Sequence, residues 1–114
     1  MRKTVLAAGL ALASIAGAAN AATIINGSFE IGPNPGSFAT LGTGNTGITG
    51  WTVTNGSIDY IGSYWQAQDG TRSIDLAGSS VGTIAQDFAT NIGETYAVTY
   101  WIARNPDGGV NART

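Results

Sequence analysis

The chain has no cysteine and no histidine. The first absence removes disulfides, thiolate nucleophiles and Cys-ligated metals. The second removes the usual general base, the usual zinc ligand and every Ser-His or Cys-His arrangement. What is left for a metal is oxygen from carboxylates, amides and carbonyls, a donor set that suits calcium. Positive charge is scarce as well. There are five Lys and Arg against seven Asp and Glu, and Arg2 and Lys3 sit at the very start of the chain. With no basic cluster to meet phosphates, nucleic acid is excluded as a partner. An anionic membrane surface is excluded for the same reason. From residue 22 onward no long stretch keeps a helical period, so helical architectures drop out too.

What is present begins with a targeting segment. Arg2 and Lys3 precede an uninterrupted run of small and apolar residues from Thr4 to Ala19. Ala19-Asn20-Ala21 then gives a small-x-small pattern. This reads as a secretory signal peptide over residues 1–21, cut after Ala21. The run is too short and too rich in Ala and Gly for a membrane span. The mature chain is then 22–114, secreted or extracytoplasmic, with no membrane span of its own. It keeps Arg72, Arg104 and Arg113 against seven acids, a net charge of −4.

The mature chain reads as short strands between glycine-rich turns. Strands are expected over Thr23–Phe29, Ile48–Thr54, Ser57–Ile61, Arg72–Ala77, Thr83–Phe88 and Thr95–Ala103. "EIGPNPGSFATLGTGNTG", from Glu30 to Gly47, reads as one long loop. Asn55-Gly56 signals a two-residue hairpin between the second and third strands, since both turn positions need positive φ. The period of two assigns faces. Ile58 and Tyr60 share one, and Ile74 and Leu76 share one with Asp75 opposite. Tyr96, Val98, Tyr100 and Ile102 form the better core face of the last strand, so Tyr96 and Tyr100 are expected inside. Ile84 and Phe88 share a face with Gln86, which needs hydrogen-bond partners if buried. Together these features predict an all-β, two-sheet β-sandwich. So short a domain makes a thin sandwich, and a chain that stops at Thr114 after a turn is expected to be truncated at its C-terminus.

Five stretches occur in order: "IINGSFEIGPNPGSF", "ITGWTV", "GSIDYIGSYWQAQDGTRSIDLAG", "GTIAQDF" and "GETYAVTYWIARNPDGG". As an ordered set they resemble the bacterial choice-of-anchor C family of exported proteins. That family is related to the plant cell-wall domain of unknown function (DUF) family 642, and more loosely to galactose-binding-like carbohydrate-binding modules. The resemblance covers nearly all of residues 22–109. It implies a β-jelly roll, a place outside the cytoplasm, anchoring through a C-terminal sorting signal of the PEP-CTERM type, and association with polysaccharide or extracellular matrix. It also implies a structural calcium, with Glu30 of "NGSFE" as a ligand and Asn26 or Gly27 carbonyls as helpers. Trp101 departs from the family, which often carries a polar or acidic residue there.

The candidate ligand residues are Tyr64, Trp65, Gln66, Asp69 and Trp101. Sugar rings present C–H faces that stack on aromatic planes, while amides and carboxylates bond the hydroxyls. Tyr64 and Trp65 fall in an expected loop beside Gln66, Gln68 and Asp69, and Trp101 lies on the less apolar face of its strand. The alternative is that these rings merely cover one end of the barrel. Trp51 reads as a core or sheet-end residue, and Tyr60 as structural. "NPDGGVN" offers Asn105, Asp107 and Asn111 as oxygen ligands, but Asn-Pro-Asp-Gly is first of all a good turn. No two of Asp59, Asp69, Asp75 and Asp87 are paired by the sequence, which argues against a glycosidase. The leading expectation is a secreted, non-catalytic carbohydrate- or matrix-binding sandwich. A surface adhesion domain with no sugar site is the second, and a glycosidase the weakest.

Overall fold

The computed structural model describes residues 22–107, which contain strands and turns and no helix. Five strands follow one another: β1 (Phe38–Gly42), β2 (Thr52–Asn55), β3 (Ser57–Ile61), β4 (Ser73–Asp75) and β5 (Thr83–Ala85). They form two antiparallel sheets, one in the order β1-β3-β4 and one pairing β2 with β5. This is the all-β, two-sheet sandwich the sequence predicts. The expected signal peptide over residues 1–21 and the candidate ligand Asn111 lie outside the described residues. Among the described residues no helix is long and apolar enough to cross a membrane.

Alternation decides what enters the core. Leu41, Ile58, Tyr60 and Ile74 project from the inner face of the three-stranded sheet. Val53 and Ile84, directly opposite each other, project from the two-stranded sheet. Ile58 and Tyr60 are fully buried, and Ile48 and Val53 nearly so. Phe29 and Trp51 close one end, their rings 5.2 Å apart, with the Trp51 indole N–H donating to the Asn26 carbonyl at 3.0 Å. Tyr60 brings a hydroxyl into this core and satisfies it by donating to the Phe29 carbonyl at 2.6 Å. Burial raises its pKa above the ordinary tyrosine value.

Several sequence expectations are corrected. Asn55-Gly56 is not a hairpin turn, because β2 and β3 belong to different sheets. Only Gly56 takes positive φ, at 58°, and the pair forms a corner at which the chain crosses between layers. Thr23–Phe29 is a turn rather than a strand, with Asn26 and Phe29 at positive φ. The Asn26 side chain braces that turn through bonds to Ile31 and Thr49. A side chain also replaces a strand neighbour here. The half-buried Gln86 amide accepts from the Ile25 N–H at 2.6 Å and donates to its carbonyl at 2.9 Å, which meets the partner requirement read from the sequence.

The expected long loop contains β1, whose alternation is masked by flanking glycines. The span Thr95–Ala103 forms no strand. Val98, Tyr100, Trp101 and Ile102 are strongly exposed there, so Tyr100 is not core, and Tyr96 is only half-buried. Alternation gives a segment the capacity to pair, but a neighbouring edge must supply the ladder. Leu76 and Phe88 likewise lie just beyond the short strands β4 and β5 and are exposed.

Candidate functional site

The outer face of the three-stranded sheet carries what the core face does not: polar and aromatic side chains together. Two cross-strand rows define it. One runs Phe38, Ile61, Ser73, and the next Thr40, Asp59, Asp75. Residues 62–72 form the loop between β3 and β4, and this loop folds back over the first row. The Trp65 indole N–H donates to the Ser73 hydroxyl at 3.2 Å. The Tyr64 ring meets Phe38 edge-on at 5.4 Å and Trp65 at 5.1 Å. Ile61, between Phe38 and Ser73 in the register, is only 2% exposed although alternation turns it to this outer face. Tyr64 and Phe38 are still 48% and 46% exposed, so the cluster is at once a cover and an open aromatic surface.

The loop is pinned at both ends. At its start, the Gly62 and Tyr64 N–H groups donate to the Ser37 carbonyl and the Ser63 N–H to the Gly36 carbonyl. At its end, Glu30 accepts from the Thr71 and Arg72 N–H groups at 2.7 and 2.8 Å and from the Thr71 hydroxyl at 2.8 Å. The Thr71 hydroxyl and then the Thr71 amide, helped by the Arg72 amide and charge, hold the Glu30 carboxyl below its ordinary pKa against the opposing effect of desolvation. Gly70, at φ 66°, has no room for a Cβ against this carboxylate. Ser28 adds a bond to Asp69 at 2.5 Å.

The turn at Asn105 to Asp107 docks on the same face. Asn105 donates to the Asp75 carboxylate at 2.6 Å, and Tyr64 donates its hydroxyl to Asp107 at 2.6 Å. The Asp107 N–H closes the turn on the Asn105 side-chain oxygen at 2.8 Å. The hydrogen bond to the Asp107 carboxylate, reinforced by its charge, raises the Tyr64 pKa, because both oppose a phenolate.

Of the five candidate ligand residues, the fold brings Tyr64 and Trp65 together and leaves Gln66 exposed on the same loop. Asp69 is on that loop but turned to Ser28. Trp101 shares no ring contact with the cluster. It lines a shallow hollow of about 250 Å³ with Thr99 and Tyr100. Phe38 and Ser73 escape the sequence reading, while Asn105 enters it only as a possible metal ligand of "NPDGGVN". The alternation of "SFATLG" is the one local signal for Phe38; nothing local points to Ser73.

One reading of the carboxylates also changes. Asp59 and Asp75, which no spacing links, stand directly opposite each other across β3 and β4. Residues so placed have Cβ atoms about 4.5–5.5 Å apart. Each is engaged: Asp59 accepts from Thr40 at 2.5 Å, and Asp75 from the Ala77 N–H at 3.0 Å as well as from Asn105. They stand side by side on one sheet face, each partly covered, rather than across a cleft. Among the described residues no group of three or more acidic side chains gathers to hold a metal.

The fold and this surface define a β-sandwich domain that presents an aromatic platform on one sheet. The chain belongs to the family described as "Protein of unknown function (DUF642)", which matches residues 22–112. It is also 41% identical over 102 residues to a protein named halomucin from Haloquadratum walsbyi. That match covers 85% of this chain, and the chain spans about 1% of the length of that relative. No solved structure matches it.

Proposed function

We propose that this is an extracytoplasmic, non-catalytic domain of the galactose-binding-like type that binds carbohydrate of the cell surface or surrounding matrix. The observation that carries the reading is the Phe38–Tyr64–Trp65 cluster, on a loop hydrogen-bonded at both ends and with Phe38 and Tyr64 about half open to solvent. Pre-set aromatic planes bordered by hydroxyl, amide and carboxylate groups suit the two needs of a sugar, a C–H face to cover and hydroxyls to bond. Location is supported by the signal-peptide pattern over residues 1–21, by a family match that starts at residue 22, and by kinship with a protein that carries a mucin's name. The non-catalytic reading rests on carboxylates that are each tied into the scaffold. A structural calcium on Glu30 would have to share its carboxylate with the three donors of Thr71 and Arg72.

The test is a panel of immobilised polysaccharides probed with the wild-type chain and with Tyr64→Ala and Trp65→Ala. Binding that both substitutions weaken supports the site. Binding unchanged in both removes it.

A second reading, an adhesion domain that meets protein rather than sugar, is favoured by one observation. Val98, Tyr100, Trp101 and Ile102 form an exposed, largely apolar segment interrupted by Thr99. Trp65 is half-buried and Trp101 is 78% exposed, so the two tryptophans do not share a structural role.

A further inference from the structure

Among the described residues, the acids around the aromatic platform outnumber the cations. Asp107 receives the Tyr64 hydroxyl at its edge. Asp75 is linked to Asp107 through Asn105. Asp59 lies opposite Asp75, two residues along each strand from the Phe38–Ile61–Ser73 row. Two residues of a strand are about 7 Å. That is inside the screening distance of about 8 Å at physiological salt. Among the described residues the cations are Arg72 and Arg104. Arg72 precedes Ser73, so alternation turns it to the opposite face, where it acts on Glu30 and Tyr60. Arg104 is exposed on the approach to Asn105 and is outnumbered.

We infer that the platform takes an uncharged pyranose chain and turns away glycans that carry uronate or sulfate. The inference rests on the carbohydrate reading above and adds the class of sugar. Carboxylates only accept hydrogen bonds, and sugar hydroxyls donate them. An uncharged chain therefore meets Asp59 and Asp107 as partners, with the Gln66 amide as donor. A uronate presents a second acceptor of the same sign. At about 7 Å in a watery setting, each facing carboxylate weakens such a ligand roughly threefold.

The experiment is affinity electrophoresis of the full chain at low salt. The gels contain uncharged glucan, mannan, galactan or xylan, or a uronate polymer before and after chemical reduction of its carboxyls. The expected result is retardation by at least one uncharged polymer, and stronger retardation by a carboxyl-reduced polymer than by its uronate parent. That preference shrinks at high salt. In an Asp59→Asn, Asp107→Asn double variant, which keeps acceptors for Thr40 and Tyr64, it falls by roughly threefold per carboxylate removed. Tighter binding of the uronate parent than of its reduced form overturns this inference and leaves the carbohydrate reading standing. Retardation by no polymer of either kind overturns both.

Discussion

Tyr64 does two separable things. Its ring completes the platform with Phe38 and Trp65, and its hydroxyl tethers the Asp107 turn. Tyr64→Phe keeps the first and loses the second; Tyr64→Ala loses both. Ring pairs and stacks are worth about 0.5–1.5 kcal/mol beyond area. Binding isotherms on a polysaccharide ligand should therefore show Tyr64→Ala weaker than Tyr64→Phe by roughly two- to tenfold. Glu30 makes a different kind of prediction. Its carboxyl titrates below the ordinary value of 4.5 because the folded state supplies donors to the anion. The stability it gives is present above that ordinary value and is lost as pH falls through the depressed one. Urea titrations of Glu30→Gln at several pH values should show lower stability than wild type at pH 7. The gap should close as the acid limb is approached. A gap of constant size would mean that the charge is irrelevant and only packing was lost. Tyr60 is the third case. Tyr60→Phe removes the donor of the partly buried Phe29 carbonyl, at a cost of about 1–3 kcal/mol by urea unfolding.

At the scale of elements, the structure turns on corners rather than hairpins. β2 and β3 adjoin in sequence yet enter opposite sheets, and the crossing is possible because two glycines let the backbone close up. A Cβ on Gly56 would overlap the Val81 carbonyl, and one on Gly82 the Ser57 carbonyl. Gly82→Ala tests the corner without the complication of positive φ. Relieving such a clash costs about 1–3 kcal/mol, which in a domain of this size lowers Tm by about 4–8 °C for each kcal/mol. Thermal unfolding followed by the near-ultraviolet signal of the tryptophans would read it. The aromatic loop is the second element with a mechanical identity. Its two anchorages come from segments far away in sequence, Gly36–Ser37 at one end and Ser28 with Glu30 at the other. Preorganisation of this kind lowers the ordering cost of binding, so Glu30→Gln should also weaken polysaccharide binding while leaving the three rings in place.

At the scale of the whole molecule, two surfaces compete for a role. One is the polar and aromatic outer face of the three-stranded sheet. The other is the exposed apolar run through Val98, Tyr100, Trp101 and Ile102. Extended, unpaired and apolar, that run has the character of a strand without a neighbour. Sedimentation of wild type against Trp101→Ser, Ile102→Ser should show whether it drives association. Reduced self-association in the variant with unchanged polysaccharide binding would separate the two surfaces. Joint loss of both would place Trp101 in the sugar site after all. The excess of acid gives the same scale a second readout, since any binding to anionic polymers should strengthen as salt is raised.

Much of this protein was legible one residue type at a time. The lack of His and Cys set aside most site chemistries, and the period of two put Ile58, Tyr60 and Ile74 on the core face with Asp75 opposite. Composition and turn spacing gave the sandwich, because burying one face of a short strand is a local demand that local alternation records. The partners of those strands were not legible. The Asn55-Gly56 signal describes the turn a two-residue link can make, not whether the strands on either side choose each other. That choice depended on β1, hidden in a glycine-rich loop, and on β5, which drew β2 into the other sheet. The same holds for the site. Tyr64 and Trp65 announced themselves as aromatics in a polar loop. Phe38, Ser73 and the facing pair Asp59 and Asp75 became a surface only when the register of β1, β3 and β4 brought residues far apart in sequence onto one face, and Asn105 joined it by docking on Asp75.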